Sequence, residues 1–337
     1  MIARGWGWRD ELRFGRSMTS VVHALKCAAA LFVVLAAVPL ASNRLTSAQT
    51  AIQVLLITGQ SNRYHNWEVS SPIVKRQLEE SGRFAVTLTT TPPKGATPNQ
   101  DMSSFAPRFS DYQVVVLDYE GFEFSAPVKQ ALVDYIKNGG GLVVLHAADN
   151  AFPGWPEYNE MIGVGGWGGF TPGYSNRTDS AGPKIRWRDG GIVLDSATPG
   201  TAQHPSPHDF LITNRATEHL IMKGLPSAWL HAKDELYSNL RGPAKNVTVL
   251  ATAMAPTSMP NGTGEHEPII MTIAYGKGRV FHDTLGHVGA TQKEPIVGMN
   301  SVDYIVLLQR GTEWAATGSV TIPVPKDFPT ADKTSIR

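Results

Sequence analysis

The chain has 337 residues, 42% of them apolar and 18% charged, with 30 Lys+Arg against 29 Asp+Glu. That balance fits a folded protein with a substantial core and excludes a disordered chain. Nothing in it marks a nucleic-acid partner, which needs a basic patch or stripe.

Arg4, Arg9, Arg13, Arg16 and Lys26 lead into an uninterrupted apolar run from Cys27 to Ala41, and Thr46-Ser47-Ala48 offers small residues for cleavage before Gln49. Residues 1–48 therefore read as a secretory signal peptide. The apolar run is about 15 residues, against the roughly 20 that a spanning helix needs. No stable membrane span is expected after cleavage, and the mature protein is expected to be periplasmic or secreted. Met18 is an alternative start to Met1. The leader holds six basic and two acidic residues, which leaves 24 basic against 27 acidic in the rest of the chain. Cys27 is the only cysteine. The mature chain thus has no disulfide and no thiolate nucleophile or ligand, and any metal must sit on His, Asp or Glu.

Gln53–Thr58 is apolar and β-branched, and reads as a strand ending in the polar turn Gly59-Gln60-Ser61-Asn62. Ile73, Val74 and Leu78 recur near helical spacing in Pro72–Ser81, with Gly82 to stop the helix. Phe84–Thr90 reads as a second strand, and Thr91–Pro107 as a polar loop. Gln113–Asp118 reads as a third strand, flanked by Tyr119-Glu120-Gly121. Ser125 opens a helix with Pro127 in its first turn, and Gly139-Gly140-Gly141 closes it. Leu142–Leu145 is a short apolar strand that stops at His146. Strands that are continuous apolar runs, alternating with helices, predict a doubly wound, mostly parallel, flavodoxin-like sheet.

Ala151 to about Gly200 is rich in Gly, Pro, Trp and Tyr and reads as an insertion over a site. Val247–Ala251, Ile269–Ala274 and Val280–Asp283 read as strands, the last two joined at Gly276-Lys277-Gly278. Ser301–Trp314 reads as an amphipathic helix. Residues 317–337 read as an extended tail, and 52–316 as one domain.

Together these segments resemble the ThuA-like (trehalose utilisation) family over roughly residues 52–316. The carriers are His65-Asn66-Trp67, the Gly139–His146 strand, Glu218–Pro226, Asp234-Glu235-Leu236-Tyr237, and Tyr275–Val280 running to Leu285-Gly286-His287. His219-Leu220-Ile221 departs from that family's His-Pro-Ile. The resemblance implies a class I glutamine amidotransferase-like fold without that chemistry, because His146 stands at the turn where those enzymes carry their cysteine. It implies a link to sugar catabolism, in particular to 3-keto disaccharides or glycosides.

In parallel α/β sheets ligands bind at the carboxyl ends of the strands. His146 follows a buried strand, Gly286 turns the backbone to present His287, and Glu235 is a carboxylate flanked by Leu236 and Tyr237, where burial suits it to proton transfer. These three are the candidate catalytic residues and also the candidate ligands of a divalent metal such as zinc. Gln60, Asn62, His65, Glu120, Asp149 and Trp167 are candidate substrate-binding residues, with Trp155 and Tyr174 as further sugar-stacking aromatics. Asp149 is also placed to orient His146. Each has a plain structural reading beside this one, such as a core histidine held by a carbonyl, a solvated acid or loop packing. His282 reads as structural or surface, and His204, His208, His231 and His266 as surface. No nucleotide cofactor is expected, since Gly276-Lys277-Gly278-Arg279 lacks the P-loop pattern. Two functions follow: a carbohydrate-processing enzyme using His/Glu acid–base chemistry, or a sugar-binding module without turnover. Oligomeric state has no signal in the sequence.

Overall fold

The computed structural model describes residues 50–59, 64–91, 102–166, 182–198 and 202–337, and residues 49–337 form one compact unit. In chain order the elements are β1 (Ile52–Gly59), α1 (Trp67–Glu80), β2 (Phe84–Thr90), β3 (Val114–Tyr119), α2 (Ala126–Lys137) and β4 (Gly141–Leu145). A short 3-10 helix (His146–Asn150) and α3 (Pro156–Ile162) follow. Then come β5 (Lys184–Arg188), β6 (Gly191–Asp195), β7 (His208–Asn214), β8 (Ala228–Asp234), β9 (Val247–Met254), β10 (His266–Tyr275), β11 (Gly278–Asp283) and α4 (Val302–Thr317).

The main sheet runs β2-β1-β3-β4-β11-β10-β9-β7-β8. Its first five strands pair in parallel, as the apolar runs predict. Beyond β11 the pairing is antiparallel throughout. β9 and β8 therefore point the same way as the parallel strands, and β10 and β7 oppose them. Sequence patterning found the parallel part and β9 to β11, but not β7, β8, α3 or the separate β5–β6 hairpin.

The period of two along a strand sends alternate side chains to opposite faces. Val54, Leu56, Val114, Val116, Val143 and Leu145 pack with Ile73, Val74 and Leu78 of α1 and with Val302, Leu307 and Leu308 of α4. Leu55, Ile57, Val115, Leu117, Leu142 and Val144 pack with Leu132, Val133 and Ile136 of α2 and Met161 and Ile162 of α3. Helices on both faces make the sheet doubly wound. α4 is buried nearly all round rather than amphipathic. Its C-terminal carbonyls are capped by Arg279, which donates to Trp314, Ala315 and Ala316 at 3.1 Å each. The tail after Gly318 is docked, not free. Val320, Ile322 and Val324 pack on the core, and the Leu230 and Val302 amides donate to Thr330 and Ser335. No helix among the described residues is long and apolar enough to cross a membrane.

Candidate active site

The carboxyl ends of β1, β3, β4, β8 and β11 lie on one edge of the sheet, and each contributes a polar side chain there. β4 ends directly in His146, whose φ of +25° lies in the region that non-glycine residues avoid. The chain turns there at once into the 3-10 helix, which swings the imidazole off the strand and over the edge. Its Nδ1 donates to the Thr284 carbonyl at 2.6 Å. β11 exits through Gly286, whose φ of +96° and contact with Tyr304 leave no room for a side chain. His287 follows directly. The loop after β1 is tied to this exit by the Asn66 amide on the Val288 carbonyl at 3.0 Å, and His65 is held beside His287. Glu120, just past β3, sits 2.6 Å from His65 Nδ1.

β8 is the outermost strand, yet its end returns to the β11 exit. Asp234 accepts the amides of Gly286 at 2.6 Å, His287 at 3.1 Å and Glu235 at 2.8 Å. A curled, twisted sheet brings these ends together, which residue spacing along the chain does not reveal. Glu235 Oε2 lies 3.2 Å from His287 Nδ1, 3.9 Å from His146 Nε2 and 3.5 Å from His204 Nε2. His146 Nε2 lies 3.0 Å from His287 Nδ1. One ring nitrogen from each of His65, His146 and His287 falls within 4.8 Å of the others.

The three catalytic candidates thus meet, and two of the substrate-binding candidates, His65 and Glu120, join them. Asp149 does not orient His146. It is fully buried and its carboxylate bonds His282 Nε2, while His282 Nδ1 donates to the Ile162 carbonyl at 2.8 Å. His282 is accordingly structural. Trp155 is buried against Phe152 and Tyr158 and offers no stacking wall. Gln60, Asn62, Trp167 and Tyr174 lie outside the described residues. His219 packs on Trp314, away from the site.

Sequence reading missed three contributors. Tyr237 stacks on His146 with ring centroids 4.3 Å apart, and its hydroxyl reaches His65 Nε2 at 3.4 Å. Asn150 donates to that hydroxyl at 3.4 Å. His204, read as surface, is brought beside Glu235 by the paired backbones of Gln203 and Ser238. Tyr237 carried a signal: at two residues from Glu235 past a strand end, it shares the same edge. His231, also read as surface, is fully buried between Asp303 (2.8 Å) and Asp234 (3.2 Å). Its spacing of two from Trp229 on β8 was the available clue.

Burial sets the protonation states. Burial, with Asp234 next door, pushes the Glu235 carboxyl up to about 8. Burial and the nearby His65 bring His287 down to about 4. Burial and the charges of His287 and His65 hold His146 well below the ordinary imidazole range. A carboxyl titrating near neutrality can both give and take a proton, and neutral imidazoles can offer lone pairs to a metal or to hydroxyl donors.

The family profile described as trehalose utilisation (ThuA) matches residues 53–315. The chain belongs to the ThuA family. It is 45% identical to a ThuA-like protein of Parabacteroides merdae, with a TM-score of 0.78 over 85% of this chain and 98% of that one. A ThuA-like protein of Bacteroides uniformis is 17% identical, with a TM-score of 0.47 over 81% of this chain and 94% of that one. A cytoplasmic protein of Salmonella typhimurium is 15% identical, with a TM-score of 0.42 over 78% of this chain and 99% of that one. No curated protein matches the chain.

Proposed function

We propose that this ThuA-family protein is an enzyme acting on a sugar derivative, a keto-disaccharide or glycoside, by proton transfer through Glu235. The observation that carries this is the convergence of His65, His146, Glu235 and His287 from separate strand ends into one cluster. A merely structural histidine needs one satisfied partner. Four titratable groups collected on the ligand edge are a costly arrangement for stability alone. The family's description as trehalose utilisation supports the substrate class.

The step common to ketosugar isomerisation and elimination is loss of a proton from the carbon next to the carbonyl. Ionised Glu235 takes that proton, and the C–H electron pair moves into the carbonyl as an enolate. In isomerisation the enolate oxygen gains a proton, the hydroxyl on the deprotonated carbon loses its proton and becomes the new carbonyl, and Glu235 returns the carbon-bound proton to the former carbonyl carbon. In elimination the enolate re-forms the carbonyl and expels the oxygen substituent one carbon further on, which leaves with a proton.

The test is incubation of the protein with a panel of disaccharides and their 3-keto forms in D2O, followed by mass spectrometry. Deuterium uptake or a product mass from the keto forms is expected, with the Glu235→Gln protein silent. Binding without turnover, indifferent to His146→Ala, would instead establish a sugar-binding module. The basic lead-in and apolar run of residues 1–48 support action outside the cytoplasm; an N-terminus at Gln49 on the exported protein is the expected sign.

A further inference from the structure

Two of the three rings of the imidazole cluster have an acceptor behind one nitrogen that fixes which way the other faces. A carbonyl only accepts, so His146 must carry its proton on Nδ1, toward Thr284. A neutral His146 then presents a lone pair on Nε2. That lone pair lies 3.0 Å from His287 Nδ1. His65 is fixed in the same sense, with Nδ1 against the Glu120 carboxylate and Nε2 on the side of Tyr237, the ring stacked on His146. An imidazole whose far nitrogen donates to a carboxylate or a backbone carbonyl is the arrangement found behind metal-bound histidines, where it sets the tautomer and raises basicity. Here two of three clustered rings show it, one with each kind of acceptor.

We propose that His65, His146 and His287 hold one divalent first-row transition ion, with zinc the best match. Three nitrogen donors and an open position suit zinc, whereas magnesium and calcium require oxygen cages that the cluster does not supply. Glu235 is then not a required ligand. It stands beside the ion, 3.2 Å from His287 and 3.9 Å from His146, where it accepts a proton from bound water or substrate. When bound, such an ion polarises a ligated oxygen. Glu120 is a positioning residue that acts through His65.

The purified full-length chain, stripped with chelator and dialysed against Co²⁺, provides the test. Uptake of about one ion per chain with visible absorption of a nitrogen-coordinated cobalt centre is expected. His65→Ala, His146→Ala and His287→Ala should each lose that absorption with unchanged far-ultraviolet circular dichroism. Glu235→Gln should keep it, and Glu120→Gln should bind about 10- to 100-fold more weakly. No uptake by the wild type, or equal uptake by the alanine variants, overturns the proposal. Should His146→Ala not fold, the loop variants at 65 and 287 decide it. The readout is independent of substrate: an ion bound without sugar turnover sinks only the proposed function, and turnover without an ion sinks only this site.

Discussion

His146 sits among other imidazoles, whereas His231 sits between two carboxylates, and the two are equally deep in the protein. Burial opposes the charged form of both. At His146 the neighbouring His287 and His65 add to that opposition, and the ring is held neutral. At His231 Asp303 and Asp234 overcome it and push the imidazole up to about 10. The second arrangement is a structural stack. Asp303 also accepts from Trp229 at 2.9 Å and from Ser301, and Asp234 passes the order on to the backbone of Glu235 and His287. One region thus holds titratable groups in an uncompensated state, and the region behind it uses satisfied charges to hold them there. Partners, not depth, decide what a buried histidine does.

The sharpest way to break this contrast is to remove one member from each region. Loss of Glu235 or His146 should cut turnover of a keto-sugar by about 10²- to 10⁴-fold, read by initial rates. Neither change leaves a buried charge unpaired, so each should lower the urea midpoint less than Asp303→Ala does. Asp303→Ala should do the opposite. It strips a buried imidazolium of one partner, which costs about 3–5 kcal/mol in urea unfolding.

A pH series sharpens the same contrast with a smaller effect. The raised value at His231 means that its stabilisation is complete below its ordinary value of 6.5 and is lost as pH climbs through about 10. The stability gap between the wild type and Asp303→Ala should therefore be wide near pH 6 and narrow toward pH 10. A gap that stays constant would show His231 to be neutral throughout. The smallest effect belongs to Tyr237→Phe. Its hydroxyl contacts are long, 3.4 Å to both Asn150 and His65, so unfolding should shift by less than about 1 kcal/mol, with the stack on His146 kept.

The same division explains what could be read from the residues alone. The parallel strands are apolar runs bounded by Gly or polar turns, so β2 was legible to the residue and β1, β3 and β4 to within one at each end. His146 and His287 were legible because each follows a strand that the residues show, and Glu235 because Leu236 and Tyr237 beside it mark a partly buried carboxylate. β7 and β8 alternate in burial, but their residue types do not follow it: Leu211 is exposed, whereas Asn214, His231 and Asp234 are buried, so the polarity pattern gave no clean period. The β5–β6 hairpin did leave a sign, Asp189-Gly190, where both φ values are positive, as a two-residue turn requires. What the residues could not reveal is the curl that returns β8 to the β11 exit. His231 and Asp234 are three residues apart on β8, and the Gln203–Ser238 pairing brings His204 to Glu235, but nothing local encodes the approach of Asp234 to the Gly286 and His287 amides.

One measurement bears on the central claim most directly. Turnover of a 3-keto disaccharide, normalised to folded protein, should be compared for the wild type, His146→Ala and Asp303→Ala below the unfolding transition of all three. We expect His146→Ala to be inactive and Asp303→Ala to retain activity within a few-fold. Full activity in His146→Ala would contradict the assignment of chemistry to the imidazole and carboxyl cluster at the strand ends.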